Sequence, residues 1–136
     1  MAGLATRLAT DRRGGAILEF ALVLPLLMTL LVGGVDIGRM FYVRQGLEYA
    51  TEEAARYYML NPTTAESNVT ALLKSKMPGG MGPSVTVTYV DTANCNSNST
   101  VTCTTITAKY LFGFAVGYLG IGAQNLRATA KAVRYS

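Results

Sequence analysis

The sequence predicts an α+β protein: a long N-terminal helix that spans a membrane and continues outward, a short second helix, and a three-stranded antiparallel sheet. Three observations carry this prediction. Residues 16–35 are an almost unbroken apolar run. The residues after it, to about 60, keep helical spacing while admitting charges. Beyond the breaker "PGGMGP" the apolar residues alternate as in half-buried strands.

Residues 1–14 form a short basic leader, in which Arg7, Arg12 and Arg13 face a single acid, Asp11. The twenty residues that follow contain one charge, Glu19. A helix of that length covers roughly the 30 Å hydrocarbon core of a bilayer. The leader arginines, Arg12 and Arg13 nearest the run, orient it with the N-terminus in the cytoplasm and the C-terminal part outside. A cleaved secretory signal would have a shorter apolar core and a small-residue cut site after it. The stretch "VGGVDIGRM" offers no such site, so an anchor is expected. Pro25 removes one backbone hydrogen bond and is expected to bend the helix.

The helix should run on through "DIGRMFYVRQGLEYATEEAARYYML" to about Leu60. Ile37, Met40, Phe41, Leu47, Ala54, Ala55 and Tyr58 fall on one face, with Arg44 and Glu48 intruding on it. Glu52 precedes Arg56 at the favourable i,i+4 spacing. Pro62 ends this helix. Thr63 and Glu66 have the spacing of a capping box that would open a second helix, reaching to about Met77, with Val69, Leu72, Leu73 and Met77 as its apolar face.

Three strands are expected next. "SVTVTYV" places Val85, Val87 and Tyr89 on one side; "VTCTTITAKYLF" places Ile106, Ala108, Tyr110 and Phe112; "LRATAKAVRY" places Leu126, Ala128, Ala130 and Ala132. The first two should pair around the polar loop "DTANCNSNST". A sheet with one apolar face needs a cover, and the outer half of the long helix is the nearest one. The glycine-rich connection "GFAVGYLGIGA" is expected to be a buried loop or a contact for membrane or partner. The organisation expected is therefore leader 1–14, membrane-spanning and extended helix 15–60, and outer α+β domain 61–136.

Composition narrows the function classes. Half of the 136 residues are hydrophobic and 15% are charged, a skew towards membrane attachment. The net charge of +4 is scattered without a basic–aromatic patch, so no nucleic-acid partner is expected. Histidine is absent, and two cysteines, Cys95 and Cys103, are too few for a zinc site. On the outer side they either form a disulfide closing a short loop or remain free thiols. No serine or threonine has a recognisable base, and the outer acids Asp36, Glu48, Glu52, Glu53, Glu66 and Asp91 have no metal-ligand spacing. Catalytic residues, metals and cofactors are therefore not expected.

Glu19 is the residue that asks for an explanation. A carboxylate in a membrane helix costs roughly 2.5–3.5 kcal/mol near the centre and less near the edge. One turn in, it could reach the cytoplasmic headgroups. Alternatively, a cut between Gly14 and Gly15 would create a terminal amine four residues before Glu19, on the same helix face. Amine and carboxylate could then neutralise each other, within one chain or between neighbours.

The stretch "RRGGAILEFALVLPLL" resembles the leader junction and helix of type IV pilin-like proteins: a basic leader, glycine before the cut, and glutamate fifth in the mature chain. "DIGRMFYVRQGLEYATEEAARYY" and the pattern "VTVTY … LRATAKAVRY" are similar, more specifically, to the TadE-like pseudopilins of tight-adherence (Flp) pili. The resemblance implies cleavage by a prepilin peptidase after Gly14, Gly15 as the new N-terminus, Glu19 as the assembly glutamate and Phe20 as the aromatic after it. A cut after Gly15 would instead make Glu19 the fourth residue. It also implies a minor pilin in pilus assembly, priming or adhesion, since a major pilin of this type is little more than its helix and a TadG-like protein carries a much larger outer domain. The partners implied are other pilins and pseudopilins, an inner-membrane assembly platform and the lipid bilayer. The location implied is the bacterial inner membrane with a periplasmic outer domain, or the extracellular pilus. The competing expectation is an unprocessed single-pass scaffold or regulatory subunit of an envelope complex.

Overall fold

The structure, a computed structural model, describes residues 13–93, 95, 101–115 and 122–135, with side chains from residue 15 onward. The sequence-predicted leader arginine Arg12, most of the loop after β1 and the middle of the glycine-rich connection lie outside the described residues. Helix α1 spans Arg13–Leu60 without interruption and passes through Pro25. The Thr29 hydroxyl donates to the Pro25 carbonyl at 2.8 Å, a local bond to the backbone four residues back. Helix α2 (Glu66–Lys76) follows, then two short 3₁₀ turns at 78–80 and 82–84. Strands β1 (Thr86–Ala93), β2 (Val101–Phe112) and β3 (Gln124–Tyr135) form one antiparallel sheet in that order.

The core lies between the outer half of α1, α2 and the inner sheet face. Its α1 stripe is Asp36, Met40, Val43, Leu47, Ala50, Thr51, Ala54, Ala55 and Tyr58. This corrects the predicted face. Ile37 and Phe41 are half exposed and lie off the stripe, while Val43 and Ala50 belong to it. The rotation also removes the apparent intrusion of Arg44 and Glu48, which lie outside the core and pair with each other, Nε to Oε1 at 3.0 Å. That pair, rather than Glu52–Arg56, is the i,i+4 ion pair of this helix. Three alanines and a threonine in the stripe let the sheet approach closely. Thr51 satisfies its buried hydroxyl by donating to the Leu47 carbonyl at 2.7 Å.

The capping box at Thr63 does not form. The residue before α2 is Ala65, which makes no side-chain cap, and the helix starts at Glu66. The acid Glu66 in its first turn and Lys74 and Lys76 in its last still complement the helix dipole. Of the predicted second face, Val69, Leu73 and Met77 are buried, while Leu72 is half-buried. Two glycines make the return from α2 possible. A Cβ on Gly46 would come within 2.5 Å of the Pro78 ring, and one on Gly82 would collide with the Lys74 carbonyl. Gly79 and Gly80 take the left-handed φ values of 61° and 71° that the turn needs.

In the sheet, Ile106, Ala108, Phe112, Leu126, Ala128 and Ala132 are buried on the face towards α1, with Tyr110 and Ala130 partly so. Register runs from Thr86 opposite Lys109 to Ala93 opposite Thr102, and from Val101 opposite Tyr135 to Phe112 opposite Gln124. Cys95 and Cys103 form a disulfide with Cα atoms 5.8 Å apart, joining the chain beyond β1 to β2.

Candidate functional site

The first turns of α1 hold the residues singled out from sequence. Gly14 and Gly15 lie in the opening turn, and a Cβ on Gly15 would meet nothing within 4 Å. Glu19 is exposed, and with Ala16, Phe20 and Val23 it lines a shallow depression on the helix surface. Positions 15, 16, 19, 20 and 23 share one face because residues three and four apart are neighbours on a helix. Among the described residues no cation lies within ion-pair distance of Glu19.

The surroundings of that carboxylate are apolar and bare. No residue from 15 to 35 is buried, and Ile17, Leu18 and Leu22 are each more than 70% exposed. Among the described residues nothing covers this surface. It is the one helix among the described residues long and apolar enough to cross a membrane. A water-soluble fold would not leave so continuous an apolar surface open.

At the end of the apolar run sits Asp36, which sequence reading had grouped with the outer acids. It is 1% exposed. Its Oδ1 pairs with Arg39 Nη1 at 3.2 Å, and its Oδ2 accepts the Ala115 N–H at 2.7 Å. The Arg39 guanidinium in turn lies 5.6 Å from the centre of the Phe112 ring, and Phe112 meets Phe114 edge to face at 5.2 Å. Asp36 thus ties the start of the β2–β3 connection to α1 where the apolar run ends. The one signal for it was position: it is the first acid after the apolar run, in phase with Met40, Val43 and Leu47.

A second polar cluster closes the opposite end of the sheet. Arg134 stacks over Tyr58 with its guanidinium carbon 4.4 Å from the ring centre. It donates to both Asp91 oxygens at 3.3 Å, to Thr104 Oγ1 at 3.1 Å and to the Pro62 carbonyl at 3.4 Å. Thr104, fully buried, also donates to Asp91. Beside it, the Tyr89 hydroxyl shares a hydrogen bond with Thr70 Oγ1 at 2.8 Å and donates to the Glu66 carbonyl at 3.2 Å. Burial pushes the Tyr89 phenol up from its ordinary value; the Thr70 hydrogen bond opposes this, and the Glu66 carboxylate adds to it. The polar groups here hold the three strands to one another and, through Tyr58, Glu66 and Thr70, to the helices. Among the described residues no cluster of three or more His, Cys, Asp or Glu could hold a metal ion.

Against known proteins, one family is found. Residues 14–56 match the TadE-like protein family. Over that stretch the long helix is similar to TadE-like proteins. The match begins in its first turn, takes in Gly14, Gly15, Glu19, Phe20 and Asp36, and stops before the sheet. No curated protein and no solved structure matches the chain. The matched segment takes in the bare apolar half of the helix, which is long and apolar enough to cross a membrane.

Proposed function

We propose that this protein is a membrane-anchored minor pseudopilin of a tight-adherence pilus, cut between Gly14 and Gly15 by a prepilin peptidase. It joins other pilins, or the inner-membrane platform that assembles them, through the first half of α1. The observation that carries this reading is Glu19: a carboxylate exposed on an apolar helix surface, one turn after Gly15, with no cation within ion-pair distance among the described residues. An ionised group in lipid is strongly favoured to meet an opposite charge. A new amine at Gly15 would supply that charge on the same face, either in the same chain or in the next subunit. Membrane insertion with the N-terminus cytoplasmic puts the Gly14–Gly15 bond on the cytoplasmic side and the sheet in the periplasm. In this reading the protein works by assembly and not by catalysis, with the outer domain as a docking or spacing unit.

Intact mass of the full chain, with and without a prepilin peptidase, tests the reading. Loss of residues 1–14 is expected, and a Gly14→Leu variant should keep its full mass. An unchanged wild-type mass would falsify processing and leave an unprocessed membrane scaffold. Glu19→Ala should still be cut but should no longer co-purify with the other pilus subunits. If that variant assembles normally, Glu19 is only a carboxylate that reaches the headgroups.

A further inference from the structure

The basic, exposed corner of the sheet next to Asp36 has no role in the reading above. We propose that this corner docks on the anionic phosphate headgroups of the same bilayer that α1 crosses, with Arg39, Lys109 and Arg127 as the headgroup contacts and Leu111 entering the acyl boundary. The proposal rests on residues 15–35 spanning that membrane.

The corner is held at the right level. Asp36 follows the apolar run directly, and its carboxylate binds Arg39 and the Ala115 N–H at 3.2 and 2.7 Å. Arg39 lies over the ring of Phe112, the last residue of β2. The end of β2 is therefore fixed within a turn of where α1 leaves the apolar run, about 6 Å along its axis. Lys109 lies three residues back along β2, roughly 10 Å at the rise of a strand. That is about one Debye length at physiological salt, so a charged surface at the level of Arg39 is felt there.

The charges also ask for an anion. Lys109 and Arg127 are direct cross-strand partners, both exposed on the sheet face turned away from α1. Like charges placed opposite each other destabilise a sheet. Among the described residues neither has a carboxylate within ion-pair distance. The one acid in the three strands, Asp91, is engaged with Thr104 and Arg134 at the other end. Leu111, on the same face as Lys109, is 61% exposed. A leucine on the same face as Lys109 and Arg127, at the sheet end that Arg39 fixes next to a membrane-spanning helix, matches the headgroup–acyl boundary, apolar on one side and phosphate-rich on the other. The membrane helix already brings that surface to this corner.

The chain has no tryptophan, so single reporters can be placed cleanly. Leu22→Trp, Leu111→Trp and Val90→Trp, each in the full chain, would be reconstituted in phosphatidylethanolamine–phosphatidylglycerol vesicles carrying lipids brominated near the headgroup or deep in the chain. All three positions are exposed, so the substitutions spare the core. Leu22→Trp should be quenched by the deep bromines. Leu111→Trp should be quenched by the shallow ones several-fold more than Val90→Trp, which lies on the same face further along the sheet. Adding Lys109→Gln and Arg127→Gln, or replacing the lipid by phosphatidylcholine, should bring Leu111→Trp down to the Val90 level. Quenching at Leu22 without excess quenching at Leu111 overturns the docking and leaves the membrane anchor standing. No quenching at Leu22 overturns the anchor itself, and the docking with it. A Leu111→Trp signal that follows protein density and ignores bromination assigns the corner to a second copy of the chain and overturns the lipid assignment.

Discussion

The two halves of α1 are one helix in two different environments. From 15 to 35 large side chains such as Leu22 and Leu26 stand out bare, and glycines 33 and 34 have open space where a Cβ would be. From 36 to 60 the buried positions recur three and four apart, many of them small, and a sheet lies against them. Hydrophobicity alone would rank the first half as the better core. What separates them is that the second half has a partner within its own chain, while among the described residues the first has none and offers an open apolar surface of the kind that lipid or another subunit covers. The fold is therefore self-sufficient only in its outer part.

The contrast can be broken with the same substitution in each half. Leu47 is fully buried and Leu22 is 78% exposed. Leu47→Ala should cost about 2–5 kcal/mol of outer-domain stability. Leu22→Ala should leave that stability unchanged. Chemical denaturation of the full chain in detergent, followed by near-ultraviolet circular dichroism, reads both; equal losses would mean that the halves are not independent. A smaller effect is expected at the joint between them. Asp36→Ala leaves the Ala115 N–H and Arg39 without their acceptor and should cost about 1–3 kcal/mol. Hydrogen exchange should quicken at Ala115 and the end of β2 while the middle of β2 stays protected; unchanged exchange at Ala115 would remove Asp36 from the joint.

The smallest effect is a pH dependence confined to the outer half. Burial raises the Tyr89 phenol above its ordinary value of 10.0, so folding favours the neutral form. Its contribution is complete below pH about 10 and is lost as pH rises through the raised folded value. Wild type should therefore lose stability more steeply above pH about 10 than Tyr89→Phe does. Parallel curves would show that the Tyr89 hydroxyl is not coupled to folding.

Much of this was legible in the sequence, because long periodic segments declare themselves. The helix to Leu60, the three strands with their inner rows, and the bare apolar run all follow from spacing. The phase of the outer helix did not. Ile37 and Phe41 drew the predicted face to themselves because they are large and apolar, yet their position just past the apolar run leaves them exposed, and small Ala50 is the residue the sheet can approach. Thr63 had the spacing for a cap, but the chain enters α2 through Ala65, too late for its hydroxyl to serve. Asp36 and Arg134 were hidden for another reason: their partners, Ala115 and Asp91, lie far away in sequence, and no local pattern records such contacts. At the candidate site the residues were legible but a partner for Glu19 was not, and among the described residues the fold supplies none.

Because α1 has no linker between Glu19 and Asp36, the two carboxylates are geared together. The intervening residues carry the helix through about 4.7 turns, which leaves Glu19 roughly 100° round the axis from the side that bears the sheet. A neighbour that holds Glu19 thus sets the compass bearing of the whole outer domain as well as its depth. One residue inserted between Gly33 and Asp36 would swing the sheet by about 100° without touching either carboxylate or the core.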